Sequence, residues 1–374
     1  MAPTKQSNSD LESFSTSTTS SPAGYPIGDQ DRLPFVTVIM PVLNEAPWIS
    51  RSLLAVLNQD YPRDHVEIIV ADGLSSDGTR ETILQLCAKY PRLRLIDNHR
   101  RFVAAGLNGA LRIAKGDVII RVDGHCEVAP DYVSRCVRHL QKGRVQVVGG
   151  PLTTVGTTPL SQTIAVAMSS WFGVGGSAFR TRKNTLMLVD TVAFPAFARA
   201  IIQQGGLFDE ELVRNQDDEY NYRLRKLGAK ILLAGDIRVR YYARSTLLAL
   251  WRQYFQYGYW KVRVMQKHPR QMSRRQFVPP SLVLALIVTC VMLPFFRWAR
   301  PSFLAIGVSY LVAVVTASVM NSLTHGWRHF ANLAMAFATL HLSYGLGFLT
   351  GLIHFVLVRG LLQFKLPSRS AATE

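Results

Sequence analysis

Gly116-Asp117-Val118-Ile119-Ile120-Arg121-Val122 runs straight into Asp123-Gly124-His125, and the reading of this stretch decides the fold. An apolar run of that kind is a strand covered on both faces, as in a parallel sheet. Residues at the carboxyl end of such a strand face the crevice where open α/β sheets take their ligands. Asp-Gly alone is an ordinary turn. A carboxylate and an imidazole two residues apart across a glycine can also reach one divalent cation. The surrounding sequence has to choose between these readings.

Upstream, strand and helix patterns alternate. Phe35–Met40 reads as a strand, Trp48–Asn58 as a helix, Val66–Ala71 as a strand, Thr79–Lys89 as a helix, Arg92–Asp97 as a short strand and Leu107–Ala114 as a helix. Downstream, a helix over Pro130–Lys142 leads to a strand at Val145–Val148. This alternation predicts the α/β class with a largely parallel sheet. Thr153–Val189 is rich in Gly, Ser and Thr and reads either as a mobile loop over a site or as plain irregular structure. Asn215–Leu227 has helical spacing, and Lys230–Ala234 reads as the last strand. Three strand ends deliver carboxylates to one sheet edge: Glu45 after the first, Asp72 and Asp77 after the second, Asp123 after the later one. Helix capping explains one such loop but not three, and converging carboxylates repel unless a cation or donor lies between them.

Charge and hydropathy divide the chain. Residues 1–236 carry 26 Lys+Arg against 24 Asp+Glu, whereas Ile237–Thr373 holds 16 Lys+Arg and no acidic residue. Three apolar segments, about Val278–Phe296, Ser302–Ser322 and Phe330–Val358, are each long enough for ~30 Å of hydrocarbon. Basic residues beside apolar runs indicate an anionic membrane surface and membrane lipids, not nucleic acid. The cluster over Lys261–Arg275 puts the start of the first span on the cytoplasmic side. Three spans then leave Arg359, Lys365 and Arg369 outside, against the charge rule, and Gly345, Gly347 and Gly351 allow the third segment to tilt, kink or re-enter. Four cysteines without a C-x-x-C pair give no zinc site and no disulfide framework, which fits a reducing compartment. Residues 1–33, with 11 Ser or Thr in the first 21, read as a disordered tail. The expected layout is therefore an α/β domain over 34–245, an amphipathic and basic interface region over 246–277, about three transmembrane helices over 278–358 and a basic tail over 359–374.

Pro41-Val42-Leu43-Asn44-Glu45, Ala71-Asp72-Gly73-Leu74-Ser75-Ser76-Asp77-Gly78-Thr79, Ala105-Gly106-Leu107-Asn108 and Arg121-Val122-Asp123-Gly124-His125, in that order, resemble family-two inverting glycosyltransferases of the GT-A fold, a Rossmann-like, mostly parallel sheet. Within them the chain is similar to the membrane enzymes of succinoglycan-type exopolysaccharide assembly, through Asn215–Arg225 and Arg252–Trp260. The resemblance implies that Pro41, Asn44 and Glu45 line a nucleotide pocket and that Asp72 accepts from the uracil ring. Asp77 either caps the next helix or touches the nucleotide. Arg101 and Asn108 are implied near the sugar or diphosphate, with a packing role for Asn108 left open. Asp123 and His125 are implied to hold a divalent metal, Mn²⁺ or Mg²⁺. His125 stands where the family's second Asp is usual, and the softer imidazole tilts the choice toward manganese.

Asp217 is the implied catalytic base, because inversion needs one group on the acceptor side to take the hydroxyl proton. An exposed acidic helix start is the plainer alternative. Asp218 supports it, and like charge on Asp218 and Glu219 crowds it. Gln256 and Trp260 belong to a motif in which Tyr259 replaces the Arg of processive synthases; both are expected at the substrate, and Trp260 and Tyr259 either stack on acceptor sugars or anchor in the membrane interface. The resemblance implies transfer of a hexose, glucose first, from a UDP-sugar donor to a polyprenyl-diphosphate-linked saccharide acceptor on the cytoplasmic face of the membrane, with proteins of polysaccharide assembly as further partners. A processive polysaccharide synthase and a non-catalytic nucleotide-sugar-binding partner are the alternatives.

Overall fold

The computed structural model describes residues 33–358. The expected tail at 1–33, apart from Leu33, and the expected tail at 359–374 lie outside them. The first half alternates as the sequence predicts: β1 (Val36–Val42), α1 (Ile49–Leu57), β2 (Val66–Asp72), α2 (Thr79–Lys89), β3 (Leu93–Asp97), α3 (Val103–Ile113) and β4 (Val118–Arg121). β1, β2 and β4 are buried at every position, as continuous Val/Ile runs require. Next come β5 (Cys126–Val128), α4 (Tyr132–Gln141), β6 (Val147–Gly149) and β7 (Leu152–Val155).

The stretch that was hard to read is largely ordered secondary structure. It holds α5 (Pro159–Ser169), opened by a capping box between Thr158 and Ser161, then single turns at Trp171–Val174 and Ala178–Thr181, and β8 (Leu186–Leu188). Then follow β9 (Ala196–Ala198), α6 (Arg199–Gly205), α7 (Gln216–Lys226), β10 (Ile231–Ala234) and β11 (Val239–Tyr242). Ile231–Ala234 is thus not the last strand. The strands that the sequence concealed have three or four residues, too few for alternation to register.

The main sheet has eight strands in the order β3-β2-β1-β4-β9-β6-β10-β8. β3, β2, β1 and β4 are mutually parallel, and β6 pairs parallel with β10. β9 is antiparallel to both β4 and β6, so those two point the same way across it. The order reverses at β1, between β2 and β4, which opens a crevice at the carboxyl ends of these strands. A small sheet, β5-β11-β7, stands beside it.

The last third is helical: α8 (Leu247–Lys267), α9 (Val278–Met292), α10 (Ala299–His325) and α11 (Phe330–Leu352). Among the described residues, three helical segments, Arg274–Met292, Ala299–His325 and Trp327–Val356, are long and apolar enough to cross a membrane. They are not equivalent. On α10, Leu304, Val308, Leu311 and Met320 are exposed, whereas Leu333, Ala336, Phe337 and Leu340 of α11 are buried in the core shared with the catalytic domain. α11 also lies backbone to backbone on α8. A Cβ on Gly258 would stand 2.1 Å from Tyr344 O, and one on Gly347 would stand 2.0 Å from Phe255 O. The glycines of the third segment therefore serve close helix packing.

Candidate active site

The loops after β1 and β2 are stitched together. Asn44, in the left-handed region at φ 55°, donates its N–H to Ser75 Oγ at 2.8 Å and accepts from Ser76 N at 3.0 Å. Asp77 accepts from Ala46 N at 3.0 Å, Thr79 N at 3.1 Å and Thr79 Oγ1 at 2.6 Å. Burial alone would raise its pKa, but these hydrogen bonds hold the carboxyl below the usual range. Asp77 is accordingly a loop clamp at the start of α2.

Asp123 and His125 lie at the crevice. Arg121, nearly buried in β4, forks onto Asp123 with Nε–Oδ1 3.0 Å and Nη2–Oδ2 3.2 Å, and its Nη1 lies 3.8 Å from Asp217 Oδ2. Burial would lower the guanidinium pKa, but Asp123 and Asp217 outweigh it and hold Arg121 above its ordinary value. His125 Nδ1 lies 2.8 Å from Glu45 Oε1. A carboxylate only accepts, so Nδ1 is the donor, and in the neutral imidazole Nε2 keeps its lone pair. That is the arrangement in which a carboxylate orients a metal-binding imidazole. Among the described residues no group of three or more His, Cys, Asp or Glu forms a closed metal cage. Asp123 and His125 are the two groups at the crevice that could hold a cation together with oxygens of a bound ligand.

Asp217 comes from the first turn of α7, whose charge pattern follows the helix dipole: Asp217, Asp218 and Glu219 at the start, Arg223, Arg225 and Lys226 at the end. The expected crowding by like charge is relieved. Asp218 is ion-paired with Lys261, and Glu219 with Arg223 at 2.9 Å, while His268 Nε2 lies 3.0 Å from Glu219. Asp217 remains 44% exposed. Asn215 turns the chain into α7 at φ 61° and donates Nδ2 to Tyr257 O at 2.9 Å. Lys267 and Arg263 reach Asp209 and Glu211 in the preceding loop. α8 therefore braces the start of the acidic helix and the loop before it.

Two cavities meet at the carboxyl edge. The smaller, about 230 Å³, is lined by Pro41, Asn44, Glu45, Arg101, Asp123 and His125 among others. The larger, about 1020 Å³, shares Asp123, His125, Arg214 and Arg244 with it and adds Arg121, Asp217, Asp218 and Lys261. Its far wall is made by the apolar helices, through Leu282, Ile306, Tyr310, Leu340 and Tyr344.

Four expected site residues fall elsewhere. Asp72 is fully buried, lines neither cavity, and spends its carboxylate on Ser75 Oγ at 2.6 Å and Arg80 Nη1 at 3.1 Å. Asn108 is also buried. It exchanges hydrogen bonds with Phe208 N and O at 2.8 and 2.9 Å and donates to Glu210 at 2.8 Å, so the packing role prevails. Gln256 and Trp260 do not line the large cavity, which takes Gln253, Tyr254, Tyr257 and Lys261 from α8 instead. Gln256 accepts from Arg214 Nε at 2.9 Å, and Trp260 packs on Phe355 with ring centroids 5.6 Å apart.

Arg121, Arg214, Arg244, Tyr257 and Lys261 line the cavities without having been singled out. Arg121 had a legible signal: one charge inside an otherwise apolar strand must find a counter-charge.

The family model for glycosyl transferase family 2 matches residues 37–205. The succinoglycan biosynthesis protein ExoA of Rhizobium meliloti (strain 1021) is 30% identical over 329 residues, covering 85% of this chain and 95% of ExoA. The chain belongs to glycosyl transferase family 2. A second relative in sequence is a dolichyl N-acetyl-alpha-D-glucosaminyl phosphate 3-beta-D-2,3-diacetamido-2,3-dideoxy-beta-D-glucuronosyltransferase of Methanococcus voltae, 28% identical over 60% of this chain and 72% of its own length. The fold matches that of the mannosyltransferase PcManGT of Pyrobaculum calidifontis, solved with GDP-Man and Mn²⁺, at a TM-score of 0.52 and 20% identity over 86% of this chain and 91% of that one. The chain is a glycosyltransferase with a GT-A catalytic domain and three apolar helices that could span a membrane.

Proposed function

We propose that the protein is a membrane-bound inverting hexosyltransferase that moves a sugar, glucose as the first choice, from a UDP-sugar to a polyprenyl-diphosphate-linked saccharide at the cytoplasmic face, in exopolysaccharide or glycan assembly. One observation carries this reading: two cavities meet at Asp123 and His125, and the larger is walled on one side by apolar helices and on the other by Asp217. An acceptor that never leaves the bilayer needs such a cavity. ExoA's name supports exopolysaccharide assembly, and the name of the Methanococcus voltae relative supports a phosphate-linked isoprenoid acceptor.

The small cavity takes the nucleotide sugar along Pro41, Asn44, Glu45 and Arg101. Asp123 and His125 would hold the cation, which offsets negative charge on the leaving diphosphate when bound. Arg121 keeps Asp123 and Asp217 in fixed relation. Asp217 accepts the proton of the attacking hydroxyl from the large-cavity side. Asp218, neutralised by Lys261, supports the helix start.

A donor panel with Mn²⁺ or Mg²⁺, on membranes supplied with lipid-linked acceptors, tests the proposal. One added sugar per acceptor, strongest with a UDP-hexose, is expected. A polymeric product would replace the proposal with a processive synthase, and transfer only to soluble acceptors would remove the lipid-linked substrate.

A further inference from the structure

The large cavity carries more positive charge than its own carboxylates balance. Its wall holds Arg121, Arg180, Arg214, Arg225, Arg244, Arg275 and Lys261 against Asp123, Asp190, Asp217 and Asp218. Arg121, Arg225 and Lys261 are paired with those four acids. Arg214 is tied to Gln256, and Arg275 to Gly175 O. Arg180 and Arg244 have no carboxylate partner among the described residues, and Arg180 Nη1 is buried without any hydrogen-bond partner.

A buried guanidinium N–H left unpaired is costly unless a ligand completes it. Arg180 instead lies over the rings of Tyr241, at 5.5 Å, and Phe179, at 5.4 Å. Tyr241 is itself buried, and Gln253 Nε2 donates to its hydroxyl at 3.2 Å and to that of Tyr257 at 2.9 Å. Arg244 lines the same cavity as Arg180, Tyr241 and Tyr257. The result is two guanidiniums with hydroxyl and amide groups, next to the apolar wall of Leu282, Ile306 and Leu340. Planar forked donors in a water-poor setting suit phosphate oxygens.

We propose that Arg180 and Arg244 form an anion subsite that holds the phosphate groups of the lipid-linked acceptor, with its hydrocarbon chain against α9 and α10. This rests on the proposed lipid-linked acceptor and names where its charge is held. Arg244 also lines the small cavity, so it can meet either substrate. Arg180 lines only the large one and discriminates.

The test is equilibrium binding to the full chain in lipid nanodiscs, with farnesyl diphosphate, farnesol and UDP as probes. Wild type is expected to bind farnesyl diphosphate at least tenfold more tightly than farnesol. Arg180→Gln is expected to lose that advantage, Arg180→Lys to keep part of it, and both to bind UDP within twofold of wild type, which shows that they are folded. Arg180→Gln binding farnesyl diphosphate as wild type does, or losing UDP and farnesyl diphosphate equally while Arg180→Lys does the same, overturns the subsite. A wild type that binds farnesol and farnesyl diphosphate alike overturns the lipid-diphosphate acceptor itself, a different failure from that of Arg180.

Discussion

Asp217 and Arg121 show how much chemistry rests on single side chains here. Asp217 lines the large cavity at the start of α7, its acidic neighbours are ion-paired, and it is the proposed base. Asp217→Asn keeps shape and removes basicity. Its turnover is expected to fall by about 10²- to 10⁴-fold with UDP affinity unchanged, measured by single-turnover transfer and equilibrium binding. Loss of UDP binding in the same proportion would make Asp217 a nucleotide ligand instead. Arg121 sits between Asp123 and Asp217. Arg121→Met leaves two carboxylates facing each other without their cation. Breaking a buried pair costs about 3–5 kcal/mol, and partial exposure of Asp123 puts the loss at the lower end. A lower melting temperature together with weakened metal dependence is expected. A variant as stable as wild type would show that water already screens the pair.

Among the elements, α8 links chemistry to membrane. One face packs on α11 at Gly258, while Lys261, Arg263, Lys267 and His268 hold α7 and the loop before it. Two substitutions separate this role from general helix propensity. Gly258→Val drives a side chain into Tyr344 O and Phe348 N, so the helices must part, at a cost of at least about 2 kcal/mol. Gly307→Ala meets nothing within 4 Å and improves the helix by up to about 1 kcal/mol. Thermal unfolding in detergent checks both. Transfer activity should fall with Gly258→Val, because α7 loses its support, and should hold with Gly307→Ala. Equal behaviour of the two would mean that α8 and α11 do not act as a unit.

At the scale of the whole molecule, the third apolar helix is the exceptional one. His329 Nδ1 lies 2.7 Å from Thr163 Oγ1 in α5, His341 Nε2 lies 2.9 Å from Phe172 O, and Gln266 Nε2 donates to Phe355 O at 3.1 Å. Contacts with the catalytic domain and α8 thus continue from one end of this segment to the other. A helix crossing the bilayer with its domain at one end would not make them. The segment is therefore expected to lie beneath the domain, with α9 and α10 as the crossing pair. A reporter fused after Glu374 should then be found on the same side as the catalytic domain, together with Arg359, Lys365 and Arg369, as the charge rule asks if that side is cytoplasmic. A reporter on the opposite side would restore three crossings.

The sequence by itself determined the alternation of β1–β4 and α1–α3, the three carboxylate-bearing strand ends, the acidic start of α7 and the apolar last third. Periodicity and charge are local properties and survive in one dimension. Tertiary structure alone decided which of those residues reach a cavity. Asp72 and Asn108 have the right chemistry and the right neighbours in sequence, but burial gives their hydrogen bonds to Arg80, Ser75 and Phe208. Gln256 and Trp260 lost their place to Gln253, Tyr254, Tyr257 and Lys261, the residues of α8 that line the large cavity. The short strands β5, β9 and β11 are held by partners far away in the chain, so no local pattern records them. The cationic wall of the large cavity, gathered from residues 121, 180, 214, 244 and 275, is likewise a property of the folded chain and not of any segment within it.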